Sequence, residues 1–369
     1  MRTPAPPDFF GRTREELQEL FARELPDVPK FRAAQVYCWL YARRARSFAE
    51  MSDLPKVLQA ELKKQFKLPT LALAHLSESI DGTRKFLFEL ADGLKIEAVL
   101  IPSEMLDARD EVKRKTLCVS TQVGCPLDCK FCATASLKLK RNLTTAEILL
   151  QVFEVERLTG ESITNLVFMG MGEPMLNLEH VARAIRILTD PENEILGKRR
   201  ITVSTSGLPD AIREFTRMNL GVKLALSLHA TTNELRSRIM PINRRYPLEE
   251  VLAAMEDYYQ QSHIPVTYEY IVFRGLNDGP ADAKRLAKIT RRCPSKVNVI
   301  PFHPIDFTHP EGISAELAPA PKAEFERFLT LLRAEGVRVM VRSSSGVDIE
   351  AACGQLALAE ETPVALSLP

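Results

Sequence analysis

The chain has 369 residues, of which 45% are hydrophobic and 26% are charged, and its formal net charge is +1. This composition is typical of a soluble globular protein, and the length accommodates one large core with a smaller appended domain. The first residues, MRTPAPPDFFGR, contain no uninterrupted apolar stretch, and no run of eighteen uncharged apolar residues follows. We therefore expect neither a secretory signal nor a membrane span, and we expect a cytoplasmic location.

The first 67 residues favour helices, because apolar residues recur at three- and four-residue spacing in 14–25, 31–45 and 53–66. This predicted module, residues 1–67, carries thirteen Lys and Arg against nine Asp and Glu, which gives it a net charge of +4. Further basic clusters lie along the chain, and each alone is more often a solvated surface than an RNA site. They occupy residues 113–115, 138–141, 198–200 and 244–245.

Three strand-like runs follow the helices, at residues 71–80, 83–91 and 93–102. They are separated by Asp81-Gly82 and Asp92-Gly93, dipeptides that favour tight hairpin turns. The pattern predicts a small antiparallel meander within residues 68–102. A charged stretch, SEMLDARDEVKRK, continues from it and is the main part of a predicted connector over residues 103–115.

From about residue 116 the sequence alternates between strands and amphipathic helices. Six strand–helix pairs predict a parallel sheet, wound as an open sheet or a partial barrel, over residues 116–341. The strands are expected in TLCVST, ITNLVFMG, RITVSTS, VKLALSLH, VTYEYIVF and KVNVIPF, and the helices near 144–158, 177–189, 209–218, 248–261, 280–291 and 321–335. A last strand-like run, VRVMV, leads into a C-terminal segment, residues 342–369.

The chain has seven cysteines, an odd number that is unlike a secreted disulfide framework and favours reduced thiols used for metal binding or catalysis. Cys125, Cys129 and Cys132 form a C-x3-C-x2-C motif in CVSTQVGCPLDCKFCATA. A structural zinc site needs a fourth protein ligand, and the next histidine is His180. Three thiolates suit an iron–sulfur cluster that leaves one iron open, and a zinc site completed by a distant residue is the alternative.

Each of the first four predicted strands ends in an unusual loop. The cysteine motif follows the first strand, GMGEP (170–174) the second and STSG (204–207) the third, while SLH (227–229) ends the fourth. Taken singly, these segments have ordinary roles as a Gly-Pro turn, a helix cap or a turn-closing histidine. Because reacting groups gather at the carboxyl ends of parallel strands, the four loops together predict one site at this edge of the sheet.

The cysteine motif followed by a GxGEP loop resembles the signature of radical S-adenosylmethionine (SAM) enzymes. With NLVFMGMGEPMLN, STSG, ALSLHA, PINRRY and AACGQLA, almost the whole chain resembles the RlmN-type adenine C2 methyltransferases of ribosomal and transfer RNA. The resemblance implies an α/β fold, a partial (β/α)6 radical SAM barrel preceded by the helical module and the meander. It also implies that Cys125, Cys129 and Cys132 hold a [4Fe-4S] cluster whose open iron binds SAM.

The resemblance further implies which residues line the SAM pocket. They are Gly172, Glu173, Ser204, Ser227, Leu228, His229 and His303. Members of the family commonly have asparagine where this chain has His303, and a histidine can still donate or accept a hydrogen bond there.

Three further residues are implied to act in catalysis. Cys353, in DIEAACGQL, would receive a methyl group from one SAM, lose a hydrogen atom to a radical made from a second, and add to adenine C2. Cys118 would release the resulting crosslink through a transient disulfide, and Glu97 would accept the C2 proton. The residues alone favour plainer roles: a buried cysteine in an Ala-rich turn, a strand core residue, and an exposed polar pair of Glu97 with Lys95.

The partners implied by the resemblance are 23S ribosomal RNA, transfer RNA and an electron donor such as flavodoxin, with no membrane and a monomeric state. RNA binding is expected from the basic helical module and the basic barrel loops. Two alternatives stay open. One is a Cfr-type enzyme that methylates adenine C8, and the other is a zinc-stabilised RNA-binding protein without catalysis.

Overall fold

The computed structural model of the protein describes residues 9–106, 113–342 and 345–358. Three helices open the chain: α1 (Arg14–Glu24), α2 (Phe31–Tyr41) and α3 (Lys56–Gln65). Helix α1 begins at a capping box, in which the Thr13 hydroxyl accepts from the Glu16 amide and the Glu16 carboxylate accepts from the Thr13 amide. Among the described residues, no helix is both long and apolar enough to cross a bilayer.

The meander consists of β1 (Ala72–Glu78), β2 (Arg84–Glu89) and β3 (Lys95–Leu106), and it continues through β4 (Lys113–Cys118). All neighbours in this group are antiparallel. The hairpin glycines Gly82 and Gly93 have φ angles of 79° and 80°, which a residue without a side chain adopts readily. Strands β3 and β4 extend into the range expected as a charged connector, whose residues 107–112 lie outside the described part.

The remainder of the chain alternates as the periodicity predicts. In order, the elements are β5 (Gln122–Val123), β6 (Arg141–Asn142), α4 (Thr145–Thr159), β7 (Asn165–Phe168), α5 (Leu178–Leu188), β8 (Ile201–Thr205), α6 (Pro209–Arg217), β9 (Lys223–Ser227), α7 (Asn233–Ile239), α8 (Leu248–Ser262), β10 (Val266–Val272), α9 (Pro280–Thr290), β11 (Ser295–Pro301), α10 (Ile313–Glu316), α11 (Lys322–Ala334) and β12 (Val339–Val341). The short elements β5, β6, α7 and α10 have no counterpart in the sequence prediction.

The sheet has the strand order β1-β2-β3-β4-β7-β8-β9-β10-β11-β12, and the strands from β4 onward are mutually parallel. Six strand–helix units closed by β12 form a partial (β/α)6 barrel, as predicted. The meander is not a separate layer, because Cys118 of β4 pairs with Val99 of β3 on one side and Val167 of β7 on the other. Strand β4 is therefore the shared edge between meander and barrel.

The helical module packs against the outer helices of the first two barrel units. The rings of Phe10 and Phe153 meet edge to face with centroids 6.0 Å apart. Beside them, the Arg14 guanidinium binds the Asp190 carboxylate at 2.8 Å, with both side chains largely buried. The module thus shares its apolar core with the barrel.

Candidate active site

A cavity lies at the carboxyl ends of the parallel strands. Its wall combines residues from all four loops that the sequence singles out. They are Cys125, Cys129 and Cys132, Gly172 and Glu173, Ser204, and Ser227 with His229; Cys353 of the C-terminal segment joins them. Residues separated by more than two hundred positions thus meet in one place because the strands are parallel and adjacent in the sheet.

The three cysteines of the motif face this cavity from a loop between β5 and β6. Burial raises the pKa of Cys125 to about 12 and raises the pKa values of Cys129 and Cys132 as well. A cation must therefore offset this cost if the sulfurs are to be thiolates. Among the described residues, no three His, Cys, Asp or Glu side chains converge closely enough to hold one metal ion. Three cysteines suit a four-iron cluster, in which each binds a different iron and one iron stays open, better than a structural zinc, which needs a fourth protein ligand.

Gly172 lets the second loop approach the first. Its φ is +98°, and a Cβ at this position would lie 2.5 Å from Cβ of Gln122. The Gln122 side-chain oxygen accepts from the Glu173 amide at 2.8 Å, while the Glu173 carboxylate accepts from the amides of Met175 and Ser206. Glu173 therefore links the loop after β7 to the loop after β8, and burial raises its pKa.

His229 is buried in the cavity wall with φ of +51°. Its Nδ1 accepts from the Ile271 amide at 3.1 Å, so the ring proton is on Nε2. Burial lowers the pKa of His229 to about 3, which keeps the imidazole neutral. The ring also contacts Phe131 of the cysteine loop edge to face, with centroids 4.7 Å apart. His229 thus forms part of the cavity wall and also helps to position the cysteine loop.

Arg236 in α7 is a buried residue of the site that sequence reasoning missed. Its side chain is 0% exposed and donates to the carbonyl oxygens of Ser206, Ser227 and Leu228. A fourth bond, at 3.0 Å, goes to Oδ1 of Asn243 in the PINRRY segment. Arg236 therefore satisfies the backbone at the ends of β8 and β9. The signal in the sequence was the PINRRY segment, which contains the partner Asn243 but whose pattern predicted no structural role.

A second cavity adjoins the first. It is lined by Cys118, His303 and Arg342 together with apolar side chains of Val99, Ile101 and Leu356. His303 lines this second cavity, as Cys118 does, and does not line the first cavity with Gly172 and the serines. Cys353 lines both cavities. Cys353 therefore lies between the cavity of the cysteine motif and the cavity of Cys118.

The segment that carries Cys353 is held on two sides. On the first, the Ala133 amide donates to the Gly354 carbonyl at 2.7 Å, and the Thr134 hydroxyl donates to the Leu356 carbonyl at 2.7 Å. On the second, the Asp348 carboxylate accepts from the Ser79 hydroxyl and the Ile80 amide in the β1–β2 turn. The segment therefore bridges the cysteine loop and the meander.

Glu97 is 1% exposed, so the interpretation of Glu97 and Lys95 as an exposed polar pair is wrong. The reason is the sheet: β3 is flanked by β2 and β4, and the C-terminal segment covers Glu97, whose carboxylate accepts from the Leu358 amide at 3.3 Å. Burial raises the pKa of Glu97, and Lys85, 3.8 Å away, opposes that rise. Glu97 lines neither of the two cavities.

Two charged residues of the first cavity have no counterpart among the predicted ones. Glu269 of β10 accepts from the Asn298 amide nitrogen at 2.8 Å, and its second oxygen is buried without a partner in the described part of the chain. Arg342, which follows β12, lines both cavities. Leu228, expected among the SAM residues, is instead fully buried in the core, and its amide donates to the Glu269 carbonyl.

Comparison with known proteins agrees with this architecture. The family model of the radical SAM superfamily matches residues 119–287, and that of the ribosomal RNA large subunit methyltransferase N-terminal domain matches residues 8–68. The chain is 46% identical to the dual-specificity RNA methyltransferase RlmN of Geotalea uraniireducens, over 95% of this chain and 96% of that protein. It is 43% identical to the protein of the same name from Campylobacter concisus, over 95% and 90% of the two chains.

Among solved structures, a radical SAM methyltransferase from Sphaerobacter thermophilus superposes with a TM-score of 0.83 at 41% sequence identity. The superposition covers 95% of this chain and 98% of that one. Similarity of this extent spans the helical module, the meander and the barrel together. The chain therefore belongs to the RlmN family of radical SAM RNA methyltransferases.

Proposed function

We propose that this protein methylates C2 of an adenosine in RNA, with Cys353 as the methyl carrier and Cys118 as its resolving partner. The observation that carries the proposal is the position of Cys353, which lines both the cavity of the cysteine motif and the cavity of Cys118. A methyl carrier must reach a donor in one place and an acceptor in another. A cysteine at the boundary of two cavities meets that requirement.

The cofactors are a [4Fe-4S] cluster and SAM, and Cys125, Cys129 and Cys132 are the residues that would hold the cluster. When bound, the pair supplies a 5′-deoxyadenosyl radical that removes a hydrogen atom from a methyl group. Such chemistry suits adenine C2, which is electron-poor and has no lone pair with which to attack SAM. Gly172, Glu173, Ser204, Ser227 and His229 would orient SAM from the opposite wall.

The remaining roles belong to the chain itself. Cys353 would take the methyl group through its sulfur and then present the carbon to adenine C2 in the second cavity. Glu97 would accept the C2 proton, a role that requires movement of the C-terminal segment, since Leu358 now covers its carboxylate. The neutral His303 would hydrogen-bond to the ligand in the second cavity. Burial lowers the pKa of His303 and favours that neutral form.

The substrates we propose are an adenosine in 23S ribosomal RNA and the adenosine 3′ to the anticodon in transfer RNAs; the relatives are named dual-specificity RNA methyltransferases, which supports two RNA substrates. A flavodoxin-like protein would supply electrons, and the enzyme would act as a cytoplasmic monomer. The basic helical module and barrel loops would bind phosphates, and the target base would be splayed out of its stack.

Replacement of Cys353 tests the proposal. We expect Cys353→Ala to abolish formation of 2-methyladenosine while the iron content stays at the wild-type level, because the variant keeps the cluster ligands. Cys293→Ala, at a buried cysteine near Tyr268, is the matched control and should retain turnover. The readout is mass spectrometry of nucleosides from digested RNA. Turnover by Cys353→Ala would contradict the carrier role, and 8-methyladenosine as the sole product would contradict C2 specificity.

A further inference from the structure

A cationic side chain, that of Arg342, lies at the boundary between the two cavities. The methyl transfer proposed above gives it no role. Both cavities are lined by Met169, Ile300, Arg342, Cys353 and Gly354. Arg342 is the charged member of this shared wall. Its backbone amide donates to the Val299 carbonyl at 3.0 Å, which fixes the start of the C-terminal segment against β11. Arg342 therefore lines the wall that the cavity of the cysteine motif shares with the cavity of Cys118.

The side chain of Arg342 has few protein partners for a partly buried guanidinium. In the described part of the chain, its side-chain hydrogen bond goes to the sulfur of Met169, at 3.4 Å. A guanidinium has five N–H donors, and thioether sulfur is a weak acceptor. The nearby groups that carry or can carry negative charge are Cys353, Glu269 and Cys118. This arrangement leaves the positive charge facing the two thiols and the Glu269 carboxylate.

Cys118 needs such a cation for its proposed role. A thiol attacks another sulfur only as the thiolate, and burial raises the pKa of Cys118 to about 12. Ionised Cys353 would raise that pKa further, whereas Arg342 lowers it. In the described chain these are the charged groups that act on Cys118. Its strand neighbours, Val99 and Val167, are apolar.

We propose that Arg342 is the positioning residue of the resolving half-reaction, where its guanidinium stabilises the Cys118 thiolate beside Cys353. This inference rests on the proposed function and adds a residue to it. In the step concerned, a Cys118–Cys353 sulfur–sulfur bond forms and the bond between Cys353 sulfur and the methylene carbon breaks. The electron pair of the broken bond stays on the carbon, which takes a proton and becomes the methyl group. The two cysteines lose two electrons, the carbon gains them, and an added dithiol such as dithiothreitol reduces the disulfide afterwards.

The test separates the two halves of the reaction. In reconstituted Arg342→Met we expect Cys353 to be methylated as in the wild type, while a covalent protein–RNA species accumulates on denaturing gels as it does in Cys118→Ala. Turnover should fall at least a hundredfold. Arg342→Lys, which keeps the charge, should release RNA at least tenfold faster than Arg342→Met. Wild-type turnover in Arg342→Met, or loss of Cys353 methylation with no crosslink, would overturn the inference.

A second readout needs no RNA. Iodoacetamide should alkylate Cys118 at least threefold more slowly in Arg342→Met than in the wild type or Arg342→Lys, as followed by peptide mass spectrometry of the anaerobic holoenzyme. Cys293, a buried thiol beside Tyr268, serves as the internal reference and should not change. Equal Cys118 rates in all three proteins would refute the inference even if the variants turn over poorly. Failure of the proposed function is distinct, since Cys118→Ala would then form no crosslink and the wild type no 2-methyladenosine.

Discussion

The environment of Glu97 sets how tightly its carboxyl group holds a proton. It lies on β3 two residues before Val99, the partner of Cys118, and its carboxylate is buried beside Lys85. Burial raises the pKa of the carboxyl, so that a proton is held more tightly than on an exposed glutamate. A carboxylate of this kind is a better proton acceptor than an exposed one, provided that it is ionised.

We expect Glu97→Gln to lower 2-methyladenosine formation by about a hundredfold or more, because an amide does not accept the C2 proton. Methylation of Cys353 itself should persist, since that step needs no base at C2. In the wild type, turnover should decline as the pH falls through the raised pKa of Glu97, because the protonated carboxyl cannot accept a proton. Rates measured across a pH series with single-turnover quenching check both statements.

The control for this variant is Glu89→Gln, at the exposed end of neighbouring β2. It removes the same charge from the same sheet and should leave the rate unchanged. Full activity of Glu97→Gln would contradict the assignment of Glu97 as proton acceptor.

At the scale of elements, the β1–β2 turn and the C-terminal segment form one unit. Asp348 accepts from Ser79 and Ile80, and in return the Asp81 carboxylate accepts from the Gly346 amide at 3.0 Å. Gly346 has φ of +67°, and a Cβ there would lie 2.8 Å from side-chain atoms of Thr83 and Ala351. The turn therefore fixes the start of the segment, and the cysteine loop fixes the residues after Cys353.

We expect Asp348→Ala to loosen this segment. Loss of both Asp348 bonds weakens the contact with the β1–β2 turn and leaves the bond from the Gly346 amide to Asp81, so amides in residues 345–358 should exchange with deuterium faster, while barrel strands such as β8 keep their protection. The fraction of Cys353 that is methylated after one turnover should also fall. Asp257→Ala removes an exposed ion pair with Arg213 and is the matched control. Unchanged exchange in the segment would show that the turn does not hold it.

At the scale of the whole molecule, one sheet of ten strands connects the meander to the barrel, and the helical module packs on the barrel helices. The net charge is only +1, so attraction to RNA cannot come from the overall charge. We expect it to come from the module, with its +4, and from the local basic clusters. Local contacts of Lys and Arg with phosphates make affinity sensitive to salt because counterions are released on binding.

We expect RNA affinity to fall by about tenfold or more between roughly 50 and 200 mM salt, since several phosphate contacts are involved. Fluorescence anisotropy of a labelled anticodon stem–loop measures this directly. Turnover at saturating RNA should change far less, because the chemical step takes place inside the buried cavities. An affinity that is independent of salt would refute RNA binding through these basic groups.

The strand–helix alternation and the cysteine motif could be predicted because both are local. Periodicity of apolar residues is contained within a window of one element, and C-x3-C-x2-C within eight residues. The edge of the sheet where the four loops meet also follows from local information, since consecutive parallel strands end on the same side. The loop pattern predicted a role for Gly172. It could not predict the contact with Gln122, which is what requires a glycine there.

Only the tertiary structure decided which distant segments of the chain are in contact. Whether Glu97 is exposed depends on β4 and the C-terminal segment, which cover it. The alternation of polar and apolar residues along β3 does not contain that information. His303 shares a cavity with Cys118, and Arg342 shares it with Cys118 and Cys353, because β11 and β12 complete the barrel next to the segment that carries Cys353. The sequence by itself thus determined most of the elements and the family resemblance, and it predicted the cluster ligands. The sheet order and register decided which side chains share a cavity, because they set the distances between residues far apart in the chain.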